Sequence, residues 1–565
     1  MNGSSKQEVE KMLKKLTKKQ QAWVESTFRK LTLNEKIGQL VNERGSYVMS
    51  RDLPAEKWLK KYPVGSIFTG SEIIEAYAHG AGVTTTLQES VAAAGLTVPV
   101  LYSGDFESGI GAQIDGYTAM PRTMGVSATF SEKDSYDFGK VIGSEGRALN
   151  IRWGFGPVSD LNLNRENPVT NIRSVGDRPD HAIRILKNIV KGMQDCGCAA
   201  CPKHFPGDGT DTRNQHYVTS FNVLSKAEWD KMHGKVFKAL IDAGAMSIMI
   251  GHLAFPAYEP MDEKKQLWRP ATCSRRLLTD LLRGELGFRG VILTDAMCMN
   301  GYLAWGDYET RVIDSINAGV DMFLWPEPEK FFPLVKAALK DGRISRERID
   351  DAVRRVLTFK AQLGLTPEEL AKEEKADMTA LLKKNAEIAR RIAEDSLTLL
   401  RNRDGVLPLK LKKGARILVL VNPNKPAPFK YLDKFRSRLA GRGYEVTMIG
   451  TKDYHAVVNL LDTFELVIFA SDANPQYSEY RGFDPIFWDF LSNPKIRKLL
   501  MISFGTPYLL YDAAQVGTYI NAYHDCEATI DAVVRAMFGE IPFKGKSPVS
   551  VPHCFSFGDG LTLEK

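Results

Sequence analysis

The chain has 565 residues, too many for one hydrophobic core, and length alone predicts roughly two to four domains. Apolar residues make up 44% and charged residues 25%, the balance of a soluble globular protein. A net charge of +7 without a basic stripe of interleaved aromatics argues against nucleic-acid binding. No segment reaches the roughly 18 consecutive apolar residues of a membrane span.

The opening MNGSSKQEVEKMLKKLTKKQ lacks the apolar run of a signal peptide, so a chain that starts naturally at Met1 is expected to be cytoplasmic. Residues 1–30 read as an N-terminal helical segment. From about Leu31, short apolar runs alternate with amphipathic stretches. VGSIFTG (64–70), VPVLYSGD (98–105), IRWGFGPVSD (151–160), CAACPKHF (198–205), AMSIMIGH (245–252), GVILTDA (290–296) and VDMFLWP (320–326) read as buried strands. HAIRILKNIVKGMQDCG and AEWDKMHGKVFKALIDAG carry apolar residues at three- and four-residue steps with a glycine at the end, and each is expected to form one helix. This alternation predicts parallel strands with helical crossovers, most economically a (β/α)8-type barrel over 31–366. Residues 367–395, charged and helix-like, read as a connector. ARILVLVNP, YEVTMIG, FELVIFAS, KLLMISFG and TYINAYH then predict a smaller open α/β sandwich domain over 396–565. No G-x-G-x-x-G follows its first strand, so a dinucleotide site is not expected.

The seven cysteines are odd in number and scattered, which fits a reduced compartment better than a disulfide framework. Cys196, Cys198 and Cys201 form the one cluster. Its C-x-C-x-x-C spacing lacks a fourth ligand and reads as buried strand thiols; no metal and no cofactor are expected.

The polar residues that could do chemistry sit at the C-terminal ends of the apolar runs: Asp105, Asp160, Lys203, His204, His252 and Asp295. That is the face where a barrel gathers its active site. Asp295 has its backbone held by the sheet, which suits a nucleophile on a carbon centre and equally an N-cap of the next helix. Asp105, with Glu107 two residues on, can accept hydrogen bonds from vicinal hydroxyls or bracket a turn. Lys203 and His204 open the stretch KHFPGDGTDTRNQH, which ends at His216. His216 titrates near neutrality and on a mobile loop can carry a proton to a leaving group, or it is a plain surface histidine. Arg173 can clamp oxygen atoms with its planar fork; Arg178 lies close by, and the sequence does not decide which points inward.

In this order the segments resemble glycoside hydrolase family 3, most closely its N-acetylglucosaminidase branch. The resemblance runs from LTLNEKIGQLV (31–41) through DFESG, GFGPVSDLN, IRSVGDRP, KHFPGDG, IGHLAFP and LGFRGVILTDAM to SLTLLRNRDGVLPL and the second sheet, about nine-tenths of the chain. It implies a barrel followed by a sandwich domain and a retaining, exo-acting enzyme on terminal β-linked N-acetylhexosamine, with an oligosaccharide or glycoside as partner. Cell-wall fragments or chitin-like oligosaccharides are the expected sources. It points to Asp295 as nucleophile and His216 as general acid/base, and to Asp105, Arg173, Lys203, His204 and His252, with Met299 beside Asp295, as the residues that hold the sugar. Two positions depart from the family pattern. Asp208 stands where the loop usually has a histidine, and Asn214 stands where an aspartate orients the acid/base histidine. Asn214 can orient the ring of His216 but cannot stabilise its imidazolium by charge; Asp208 or Asp211 is a candidate to supply that charge.

Four alternatives stay open. They are a β-glucosidase, a glycoside phosphorylase, a sugar-binding protein with weak turnover (motivated by Asn214), and a divalent-metal hydrolase disfavoured by the lack of a ligand pair at helix spacing. The loop DANPQYSEYRG (472–482), with Tyr477, Tyr480 and Arg481, is a candidate to border the site from the second domain.

Overall fold

In the computed structural model, described for residues 16–70, 83–374, 376–422, 432–473 and 490–563, ten short strands precede residue 330. They are β1 (Val41–Arg44), β2 (Ser66–Phe68), β3 (Leu101–Gly104), β4 (Ile151–Gly154), β5 (Ala199–Ala200), β6 (Ser220–Phe221), β7 (Ser247–Ile250), β8 (Leu253–Ala254), β9 (Val291–Ala296) and β10 (Met322–Leu324). Eight of them form one all-parallel sheet in the order β5-β4-β3-β2-β1-β10-β9-β7. Single bridges after β5 close the ring: Val158 pairs with Lys203, and Phe205 pairs with Ile250 of β7. The expected barrel is therefore present, with β6 and β8 as a separate small ladder.

Strand parity explains the layout. Side chains alternate faces along a strand. Leu101, Ala199, Cys201, Val291 and Leu293 join the apolar cluster inside the barrel with Trp153 and Phe359, whereas Tyr102 and Ile292 face the surrounding helices. The same inward rows end at Asp105, Lys203 and Asp295, so two-residue periodicity alone carries three polar side chains to the barrel mouth.

The structure departs from sequence expectation in three elements. Strand β1, VNER, was missed because two of its four residues are charged; burial of Asn42, whose Nδ2 donates to Ser103 Oγ at 2.9 Å, and of Glu43 reverses that reading. The stretch AEWDKMHGKVFKALIDAG is two helices, Lys226–Lys231 and His233–Asp242, broken at Met232 (φ −109°, ψ −102°). The break lets His233 bury its ring against the Asp208 carbonyl, Nε2 to O at 2.9 Å. The sequence TLLRN forms an unexpected strand, β11 (Thr398–Asn402).

Strand β11 edges the second sheet, which continues with β12 (Arg416–Asn422), β13 (Glu445–Gly450), β14 (Leu466–Ser471), β15 (Leu499–Ser503) and β16 (Thr518–Asn521) in the order β11-β16-β15-β14-β12-β13. Only β11 runs antiparallel. One face packs on helices Leu432–Ala440 and Glu527–Met537; the other meets Met124, Ala128 and Ile172 from the barrel side. Helix Met378–Ser396 ties the two parts: on the barrel side Asn385 Nδ2 donates to Glu145 Oε1 at 2.9 Å and Arg391 Nε to Asp134 Oδ1 at 3.0 Å, and on the other Glu394 pairs with Arg535 of helix Glu527–Met537.

At the closed end of β9 and β10, fully buried Asp321 accepts from the Ile292 backbone at 2.9 Å and from Arg348 at 2.8 Å, and it pairs with buried Arg283. Removing one partner of a buried pair strands the other charge. Asp321→Ala is therefore expected to destabilise the barrel by about 3–5 kcal/mol, read as a lower urea midpoint in tryptophan fluorescence.

Candidate active site

A cavity of about 400 Å³ opens at the C-terminal ends of the barrel strands. Asp105, Arg173, Lys203, His204, His216, Asp295 and Met299 all line it, so seven of the nine residues named from sequence converge. A larger cleft, about 940 Å³, lies beside helix Met378–Ser396 and holds none of them; its charges pair with one another, as in Lys434–Glu527 and Arg438–Asp531.

Glu107 is the hub of one wall. It receives both Nε and Nη2 of Arg173, at 2.8 and 2.7 Å, and Nζ of Lys203 at 2.7 Å; Lys203 also reaches Asp105 Oδ1 at 2.8 Å. Burial alone would raise the Glu107 pKa, but the charges of Arg173 and Lys203 outweigh it and hold the carboxyl well below its usual range. Burial likewise disfavours the Lys203 ammonium, yet Asp105 and Glu107 raise its pKa above the ordinary value. The question between the two arginines is settled: Arg173 points inward, while Arg178 is exposed beside Asp177.

A second cluster aims His204. Its ring donates from Nδ1 to Asp160 Oδ2 at 2.7 Å, and Asp160 Oδ1 accepts the backbone N–H groups of His204 and Asp208 at 3.0 and 2.8 Å. This leaves Nε2 facing Asp295 Oδ2 at 3.9 Å. The peptide between Lys203 and His204 is cis. Burial pushes the Asp295 pKa up, and the charges of His204, His252 and His216 more than reverse that, so it lies below its ordinary value.

His252 corrects the sequence reading. It is fully buried and off the cavity. Its Nε2 donates to the Ala296 carbonyl at 3.1 Å, its Nδ1 accepts from Thr272 at 2.8 Å, and its ring lies 4.8 Å from that of Tyr302. It holds the Ala296 carbonyl beside Asp295 and does not line the cavity. Asn214 is also buried and absent from the lining, but it acts on His216: Oδ1 accepts from the ring Nδ1 at 2.7 Å and from the backbone N–H at 3.0 Å. The Asn214 Nδ2 group is buried without a partner among the described residues.

The expected charge donors do not serve His216. Asp208 bonds to Asn167, Gly209 and Gln215, and Asp211 to Thr212, Arg213 and Phe221. The loop end is also hydrogen-bonded to its surroundings. Gln215 accepts the His252 N–H at 2.7 Å, and the carbonyls of Gln215 and His216 accept from Gly301 and Asn300, both at 3.0 Å. Burial lowers the His216 pKa to about 4, only partly offset by the charge of Asp295.

Sequence reasoning assigned no role to Arg122, Gln113, Ser108, Cys298 or Trp325, which also line the cavity. Trp325 ends the apolar run of β10 and was readable by the same strand-end rule; Arg122 lies in a loop with no such signal. Tyr477, Tyr480 and Arg481 lie outside the described residues. Cys198 and Cys201 are buried thiols pushed up to about 12 by burial, and no metal-capable cluster occurs among the described residues.

Residues 32–359 match the glycosyl hydrolase family 3 N terminal domain. A beta-N-acetylglucosaminidase/beta-glucosidase of Cellulomonas fimi is 31% identical over 550 residues, covering 94% of this chain and 95% of that protein. Among solved structures, a beta-glucoside phosphorylase, BglX, bound to 2FGlc superposes with a TM-score of 0.80 at 29% identity, covering 95% of this chain and 97% of that one. A glycoside hydrolase family 3 beta-N-acetylglucosaminidase from Paenibacillus sp. str. FPU-7 gives 0.81 at 28% identity, covering 92% and 99%.

In an NMR titration the His216 ring is expected to change charge near pH 4. Asp295→Asn removes the charge that favours the imidazolium and moves the midpoint lower; Asn214→Asp adds one and moves it higher. A His216 midpoint above 6 in the unaltered protein would contradict this account.

Proposed function

Because the chain belongs to glycosyl hydrolase family 3, we propose that it removes terminal β-linked N-acetylglucosamine by a retaining, two-step route with Asp295 as nucleophile and His216 as proton carrier. The observation that carries this reading is the sharing of one cavity by an aimed, ionised carboxylate and an imidazole oriented by Asn214.

In the first step Asp295 attacks the anomeric carbon and the glycosidic bond breaks, the leaving oxygen taking a proton from His216. In the second, water gives a proton to His216 as its oxygen displaces Asp295 from the sugar. Asp105, Lys203, His204 and Arg173 supply carboxylate oxygens and N–H donors for the sugar hydroxyls, and Met299 an apolar contact. The pair Asn214–His216 is neutral. With a pKa of about 4, roughly one ring in a thousand carries the acid proton at pH 7, so the ring stands almost entirely in its base form. Good leaving groups, which need no proton, are favoured in the first step.

A second reading, phosphorolysis, is supported by that same neutrality: an anionic acceptor meets no negative acid/base group at position 216 or 214. The similarity to BglX adds to it. Phosphate oxygen would then attack the anomeric carbon in place of water, with the Asp295 carboxylate leaving.

Release of p-nitrophenol from the N-acetylglucosaminide and not from the glucoside is the expected result; cleavage of the glucoside alone would overturn the sugar assignment. A 2-fluoro or 5-fluoro glycosyl inactivator is expected to label Asp295 by mass spectrometry, and Asp295→Ala to abolish both label and turnover. His216→Ala is expected to slow cleavage of alkyl glycosides by about 10²–10⁴ and of activated aryl glycosides far less. Since the protonated fraction of His216 falls tenfold per pH unit above its pKa, alkyl glycoside cleavage is expected to decline from pH 5 to 7 while aryl glycoside cleavage stays flat. Parallel profiles for both would remove His216 from the acid role.

A further inference from the structure

The wall described above accounts for most charges in the cavity. Lys203 is matched by Asp105 and Glu107, and Arg173 by Glu107. Two ionised groups remain, Asp295 and Arg122. Among the described residues Arg122 makes no ion pair within 4.0 Å, and its Nε is buried without a hydrogen-bond partner. The fields of Glu107 and Asp525 act on it, but neither carboxylate is bonded to it.

A neighbouring group repeats the pattern. Ser108 is 2% exposed, lines the same cavity, and its Oγ is buried without a partner among the described residues. The two residues are held near each other by backbone pairing, since Met120 N–H donates to the Ser108 carbonyl at 2.9 Å and Arg122 follows two residues later. The helix Thr123–Ala128 that continues from Arg122 packs through Met124 and Ala128 on the second sheet, which fixes the segment from behind. Trp325, at the end of β10, also lines the cavity, and its buried Nε1 has no hydrogen-bond partner among the described residues.

Orphan donors on residues that line one cavity call for a ligand rich in acceptors. A sugar hydroxyl both donates and accepts and carries no charge; a phosphate-class oxyanion only accepts, and its geometry matches the guanidinium fork. The reaction sharpens the demand. Once Asp295 is esterified by the sugar its charge is gone, and Arg122 becomes the unbalanced charge of the cavity.

We infer that Arg122 and Ser108 form an anchor for a phosphate-class anion within the substrate cavity. The inference rests on the glycosidase reading for the identity of the cavity but not on which sugar is cleaved. The anion arrives either free, as inorganic phosphate, or attached to the glycoside.

Isothermal titration calorimetry of the full-length protein with inorganic phosphate tests the free source. Affinity for p-nitrophenyl N-acetylglucosaminide 6-phosphate against its neutral parent tests the attached one. Expected is binding of phosphate, or an advantage of about tenfold or more for the phosphorylated glycoside, that falls by about tenfold or more in Arg122→Gln and falls also in Ser108→Ala. Lys340→Gln, which removes the same charge from an exposed helix end, should leave the anion affinity unchanged. Circular dichroism melts identify a variant that fails to fold, and the other variant then decides. No binding of inorganic phosphate together with equal affinity for the phosphorylated and neutral glycosides in the unaltered protein, or anion binding that survives undiminished in both variants, would overturn the anchor. Anion binding without cleavage of either neutral p-nitrophenyl glycoside would sink the glycosidase reading and leave the anchor standing; cleavage without any anion preference would do the reverse.

Discussion

The molecule depends on how the barrel closes. Strand β5 contributes only Ala199 and Ala200 to the regular ladder, and the following residues finish the ring through single bridges at Lys203 and Phe205. Met249 N–H donates to Pro202 and Phe205 N–H to Met249, at 3.1 and 3.0 Å. The backbone that joins β4 to β7 is therefore the backbone that presents Lys203 and His204. Precision at the site and integrity of the barrel come from the same few hydrogen bonds, which is why chemistry is concentrated on what looks like irregular chain.

Charge balance is the second organising constraint. Buried charges are tolerated when they are paired and hydrogen-bonded. The site obeys this with two separate units: Glu107 joined to Arg173 and Lys203, and Asp160 joined to His204 and the backbone of the loop. Each unit turns a residue toward the cavity by satisfying its other side. His252 extends the scheme from below, binding the backbone next to Asp295 without entering the cavity.

Asn214 shows what a neutral amide does beside the His216 imidazole. The amide keeps the geometry, since Oδ1 holds both the ring and the backbone of His216, but it brings a buried Nδ2 with no partner among the described residues. Orientation is retained while the electrostatic support for a protonated ring is withdrawn. The loop from Gly207 to His216 is bound at its far end by Gln215, a residue with no catalytic signature in the sequence and three anchoring contacts in the fold.

The alternation of apolar runs with helices, and the polar residue at the end of each run, were legible because strand period and barrel polarity are local and repetitive. They located Asp105, Lys203, His204 and Asp295, and parity put three of these on inward rows. Strand β1 and strand β11 were not legible, since a four- or five-residue strand with polar residues gains its identity only from the neighbours that bury it. The choice of Arg173 over Arg178, the withdrawal of His252 behind the wall, and the role of Asn214 rather than Asp208 or Asp211 depend on contacts between residues far apart in the chain. Arg122 and Ser108 look ordinary in sequence; the Met120–Ser108 backbone pairing brings them near each other, and the packing of Met124 and Ala128 on the second sheet fixes that segment from behind. Sequence determined which chemistry was available at the strand ends; tertiary structure decided which groups are neutralised, because pairing is a property of distance in space and not of spacing along the chain.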